Sequence, residues 1–84
     1  MTPEDIKKLI EEGLPGCEAT VTGDGSHFDA RVVGDMFADQ SMVNKQKLVY
    51  ATLGDRITSG EIHALGIKTF THAEWEKAKH LQAS

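Results

Sequence analysis

What most constrains this chain is a set of three period-two stretches, two joined by a turn and the third set apart by a helical segment. Cys17-Glu18-Ala19-Thr20-Val21-Thr22 puts Cys17, Ala19 and Val21 on one side and Glu18, Thr20 and Thr22 on the other. That alternation, with its β-branched content, predicts a half-buried strand. Phe28, Ala30 and Val32 repeat it against Asp29 and Arg31, and Gly23-Asp24-Gly25-Ser26 between the two is turn chemistry. The pair is a β-hairpin with residues 23–27 as its loop. The third stretch covers residues 62–70, where Leu65 and Ile67 alternate with small or polar neighbours. His63 shares their parity, which places it on the packed side at the opening of that strand.

The intervening and flanking segments read as helices. Thr2, Pro3 and Asp5 form an N-cap, a first-turn proline and a capping box, and Ile6, Leu9 and Ile10 follow on one face. Gly13 and Pro15 stop this helix, so it spans residues 3–12. The Gly13-Leu14-Pro15-Gly16 run spells GxxG, but it lies between a helix and a strand and contains proline, which marks it as helix-stop chemistry. Residues 34–40 are an irregular connection plugged by Met36 and Phe37. Ser41 caps a helix running to about Ile57, with Val49, Leu53 and Ile57 as its inner row, helped by Met42 and Tyr50. Thr71 and Glu74 make a second capping box for a last helix with Trp75 and Ala78 inside, and the tail from Leu81 is expected to fray.

The order is α-β-β-α-β-α. The last two strands flank a helix, so they form a parallel, right-handed crossover, whereas the hairpin is antiparallel. This predicts an α+β fold with a three-stranded mixed sheet and helices packed on one face. Eighty-four residues make one domain, 1–84, with a small core. A single cysteine, Cys17, leaves no internal disulfide to form, and a net charge of −4 argues against a life on nucleic acid. No run approaches the roughly 18 to 20 apolar residues of a membrane span, and the acidic start is unlike a signal peptide. The expectation is a cytoplasmic protein, monomeric when free.

The topology carries a chemical prediction of its own. The starts of parallel strands lie at one edge of a sheet, so His27, just before the second strand, and His63, opening the third, come to the same end beside a glycine-rich loop able to move. Two imidazoles offer half a coordination shell for zinc, copper or iron. The alternative, which spacing alone favours, is that His63 is a satisfied core histidine and His27 a solvated loop residue. Cys17 opens the first strand at the opposite edge, beyond their reach, and behaves as a small core hydrophobe. His72 and His80 sit near helix ends as bystanders. No nucleophile–base set, phosphate loop or paired-carboxylate motif stands out, so an enzyme is not expected.

Several of these segments together carry a likeness. Gly25-Ser26-His27-Phe28, Val32-Val33-Gly34-Asp35-Met36-Phe37, Lys45-Gln46-Lys47-Leu48-Val49-Tyr50, Ile62-His63-Ala64-Leu65-Gly66-Ile67-Lys68 and Thr71-His72-Ala73-Glu74-Trp75 resemble the BolA family, in particular its small bacterial branch. The resemblance covers about residues 3 to 80 and implies a fold related to class II KH domains. It further implies a non-enzymatic partner of a monothiol glutaredoxin in iron–sulfur trafficking, iron homeostasis and stress response. In that role the two proteins form a heterodimer that shares a [2Fe–2S] cluster with glutathione. Carried over, the loop ligand falls on His27 and the strand ligand on His63. The family's other role is that of a KH-like, DNA-binding transcriptional regulator of stress and cell morphology. It points to Lys45, Lys47 and Lys68, with Gln46 standing where a basic residue or histidine is usual.

Overall fold

The structure is a computed structural model and describes residues 1–82. Helix α1 (Pro3–Gly13) starts at the expected capping box: the Asp5 amide donates to Thr2 Oγ1 at 3.2 Å and the Thr2 amide to Asp5 Oδ2 at 3.1 Å. Strands β1 (Glu18–Gly23) and β2 (His27–Val33) form the hairpin. A 3₁₀ turn (Asp35–Phe37) leads to α2 (Met42–Leu53), then β3 (Ala64–Phe70) and α3 (His72–Gln82). The expected fraying from Leu81 therefore falls on a helix that is continuous to Gln82, and residues 83–84 lie outside the described part.

The sheet order is β1-β2-β3. β1 and β2 are antiparallel from Glu18↔Val33 to Gly23↔Phe28, and β2 and β3 are parallel from His27↔Ala64 to Val33↔Phe70. That register sets Ala19, Phe28, Ala30 and Val32 on one face, where they are buried with Ile6 and Ile10 of α1 and Val49 and Leu53 of α2. Phe37 of the 3₁₀ turn closes the same core. On the edge strand β1, the Ala19 amide is taken by Glu11 Oε2 at 3.1 Å, which ties α1 to the sheet.

Three local expectations change. Helix α2 stops at Leu53 instead of Ile57, because Gly54 takes φ 61°, a left-handed turn that glycine adopts without strain. Residues 54–60 continue as turns, with the Arg56 amide bonded to Leu53 O at 3.3 Å and the Ser59 amide to Asp55 O at 2.8 Å. Met42 and Tyr50 do not join the inner row: they are 71% and 38% exposed. Tyr50 lies one residue, roughly 100° of helix rotation, round from buried Val49, and Met42 belongs to an opening turn that stands in solvent. Finally, α1 and α2 share one face of the sheet, but α3 reaches the other. Its Trp75 ring packs on Phe70 (centroids 5.4 Å apart) and lies 4.0 Å from the Arg31 guanidinium, and both of those residues point away from the core.

Candidate metal centre

Each histidine is positioned by backbone chemistry on its N-terminal side. At the hairpin, Asp24 Oδ1 accepts the amides of Ser26 and His27, both at 3.0 Å, while the Asp24 amide donates to His27 O at 3.2 Å. These amide bonds, His27 first and then Ser26, lower the Asp24 carboxyl pKa below its ordinary value. Asp24 thus holds the backbone of His27 and not its ring, and the loop is pinned where glycine content alone suggested mobility. Gly23 is required by close approach: a Cβ there would strike the His27 carbonyl and sit 2.5 Å from Phe28 Cδ1.

At the other strand, buried Ile62 donates its amide to Arg56 O at 3.2 Å and so anchors the chain immediately before His63. The parity reading of His63 is corrected here. β3 begins at Ala64, so His63 precedes the pleat and is exposed, with Ile62 taking the inward place. This exposure leaves the ring open to solvent.

The register partner of His27 is Ala64, so His27, opening β2, and His63, the residue before β3, come to the same end of the sheet, where the two strands run about 5 Å apart. Both are exposed, and neither ring makes a hydrogen bond or ion pair among the described residues. Nor does a third donor join them: among the described residues no group of three or more His, Cys, Asp or Glu side chains is placed to hold an ion. The donor set therefore fits two positions of a coordination shell completed from outside the chain.

The remaining candidates lie elsewhere. Cys17 precedes β1 at the far edge, 8% exposed, its Sγ 3.8 Å from Ile10 O, and burial raises its thiol pKa. His72 is engaged by Asp35, whose Oδ1 accepts its amide at 3.3 Å and lies 3.0 Å from its Nδ1. Lys45 and Lys47 ride on α2, over the core face, whereas Lys68 emerges from β3 on the opposite face beside Arg31. Gln46 bonds from α2 to the Ile67 carbonyl at 3.3 Å. Among the described residues, no helix is long and apolar enough to cross a membrane.

Three helices and a three-stranded mixed sheet, with two exposed imidazoles at one end of it, define a small α+β domain. The comparisons narrow it. The family model described as BolA-like protein matches residues 11–74. The acid stress protein IbaG of Escherichia coli (strain K12) is 40% identical over 81 residues, covering 96% of each chain. The solved structure of a BolA protein homologue from Coxiella burnetii superposes with a TM-score of 0.81 at 42% identity, covering 90% of this chain and 97% of that one. More distantly, the DNA-binding transcriptional regulator BolA of Escherichia coli (strain K12) is 35% identical over 54 residues, 64% of this chain and 50% of its own length. The chain belongs to the BolA-like family.

Proposed function

We propose that this protein is a non-enzymatic, cytoplasmic partner of a monothiol glutaredoxin, and that His27 and His63 supply its share of the ligands to a [2Fe–2S] cluster. What supports this reading is a pair of exposed imidazoles at one end of the sheet, His27 opening β2 and His63 immediately preceding the parallel strand β3, with neither ring in a hydrogen bond or ion pair among the described residues. The other ligands come from the glutaredoxin cysteine and a glutathione thiol. Histidine in place of thiolate raises the reduction potential of such a cluster. In this chain Asp24 fixes the His27 backbone and Ile62 fixes that of His63, so both rings meet the partner from anchored positions.

The test is reconstitution with a monothiol glutaredoxin, glutathione, ferric iron and sulfide under anaerobic conditions, read by visible circular dichroism. The heterodimer is expected to give a spectrum distinct from that of the glutaredoxin homodimer, and His63→Ala to abolish the difference. An unchanged spectrum for His63→Ala overturns the ligand assignment. A second reading, duplex DNA binding by a regulator, draws on the likeness to the Escherichia coli regulator BolA and on Lys45 and Lys47. Affinity falling steeply with salt would favour it, because phosphate contacts release counterions.

A further inference from the structure

The sheet face opposite α1 and α2 holds a concavity of about 460 Å³ lined by Thr20, Thr22, Asp29, Arg31, Gly66 and Lys68 side chains and backbone. Its chemistry is set by register. Arg31 and Lys68 are direct partners on the parallel strands β2 and β3, so two cations rise side by side from one face. Like charges placed opposite each other weaken a sheet. Neither is in an ion pair among the described residues.

Arg31 is held in place without being neutralised. Among the described residues its one side-chain hydrogen bond runs from Nη2 to the neutral Thr20 Oγ1 at 3.1 Å, and the guanidinium is backed by the Trp75 ring at 4.0 Å. Its Nε is shielded from solvent and has no acceptor among the described residues. The guanidinium is fixed on two sides and carries spare donors, which is the preorganisation that oxyanion recognition uses. One pair along the strands, Asp29 faces Gly66, where a Cβ would come 2.7 Å from Asp29 Oδ1; the missing side chain keeps that end of the groove open.

We propose that this groove binds a phosphomonoester whose organic body carries hydroxyl or amino donors, with Arg31 and Lys68 on the phosphate and Asp29 accepting from the body. A phosphomonoester carries about −1.5 to −2 charge near neutral pH, which matches two adjacent cations, whereas a monocarboxylate leaves one unneutralised. The Thr20 and Thr22 hydroxyls flank the same region. The volume falls within the roughly 300–1,000 Å³ of small-molecule sites, more than a lone phosphate needs. The cationic end of the groove is set back from the histidines, Arg31 lying four residues along β2 from His27, about 13 Å, while the Asp29 end comes within two residues of His27, about 7 Å.

The experiment is a titration of the ¹⁵N-labelled full chain with adenosine 5′-monophosphate, adenosine and inorganic phosphate at constant ionic strength. The monophosphate is expected to shift the amides of Thr20, Arg31 and Lys68, with inorganic phosphate weaker and adenosine silent. Lys68→Gln should weaken monophosphate binding by about ten-fold or more, the loss of one charge-assisted hydrogen bond. Arg31→Lys, which keeps the charge but loses the fork, should weaken it as well. His63→Ala should leave it unchanged. The proposal is overturned if adenosine binds as well as its monophosphate, if inorganic phosphate binds as tightly, or if folded Lys68→Gln binds like wild type.

Discussion

Gly23→Ala tests how the hairpin delivers His27. The backbone of Gly23 is outside the left-handed region, so an alanine there suffers from contact and not from φ. Its Cβ would lie 2.5 Å from Phe28 Cδ1, where ordinary contact begins at 3.4 Å, so the two must separate by 3.4 − 2.5 = 0.9 Å. It would also strike the His27 carbonyl, which is backbone and cannot swing aside. Relief therefore means opening the Gly23↔Phe28 pair and the bond from the Asp24 amide to His27 O. Overpacking of this kind costs about 1–3 kcal/mol. For a domain of this size that lowers Tm by roughly 4–8 °C per kcal/mol, so about 8–16 °C for a 2 kcal/mol loss. Far-UV circular dichroism on heating reads it, and the reconstituted glutaredoxin complex should lose the His27-dependent part of its visible spectrum. Gly34→Ala is the control. The added carbon there meets chiefly the thioether of Met36, an adaptable side chain, so the loss should be smaller. A Gly23→Ala protein melting within 2 °C of wild type (roughly the measurement's own resolution against the shift just worked) would refute the reasoning.

Ile62→Ala removes a fully packed side chain from the residue that anchors His63, and should cost about 2–5 kcal/mol in urea denaturation; a loss below 1 kcal/mol, about the lower edge for surface-like sites, would show that Ile62 is not core. His63→Ala, by contrast, touches an exposed ring with no partner among the described residues, so Tm should move by no more than about 4 °C while cluster ligation changes. A large fall in Tm would mean the ring is structural. The lowered pKa of Asp24 sets a pH dependence. A carboxyl depressed on folding stabilises the hairpin at pH above its unfolded value near 3.8, and the contribution is lost as pH falls through the lower folded value. Carboxyl NMR titration should therefore place the Asp24 midpoint below 3.8, and Asp24→Asn should abolish the acid-induced shifts of the Ser26 and His27 amides. A midpoint at or above 3.8 would contradict the hydrogen bonds that Asp24 accepts in the loop.

Much of the fold was legible because its signals are local. Thr2 and Asp5, and again Thr71 and Glu74, satisfy each other's backbone in both directions, so two helix starts follow from four residues. Parity named the inward side of β1 and β2 correctly, because hairpin alternation needs no tertiary information. Parity failed at His63, where the pleat had not yet begun, and helix periodicity ran past Gly54, whose positive φ is available to glycine anywhere and is announced by nothing local. The Arg31–Trp75 stack was out of reach for a different reason. It joins residues far apart in sequence across a face that alternation marks only as polar. The end of the sheet holding His27 and His63 was readable because it depends on topology alone; the anchors of these two residues, Asp24 to an amide and Ile62 to Arg56, depend on loop conformations and were not.

The same topology explains why one edge stays open. The 3₁₀ turn, the start of α3 and the α1–β1 connection all gather where β2 and β3 end and β1 begins. There Gly34 donates to the Phe70 carbonyl at 2.8 Å, and Asp35 clasps both the amide and the ring of His72. That end is thereby occupied by the protein's own hydrogen bonds. The opposite end receives the short hairpin loop and the turn run that follows α2, each held by hydrogen bonds of its own backbone. Satisfied backbone with unsatisfied imidazoles is an arrangement that costs the free protein nothing in buried polar groups. Both rings stay exposed, and the core of Phe28, Ile6, Val49 and Leu53 closes without them.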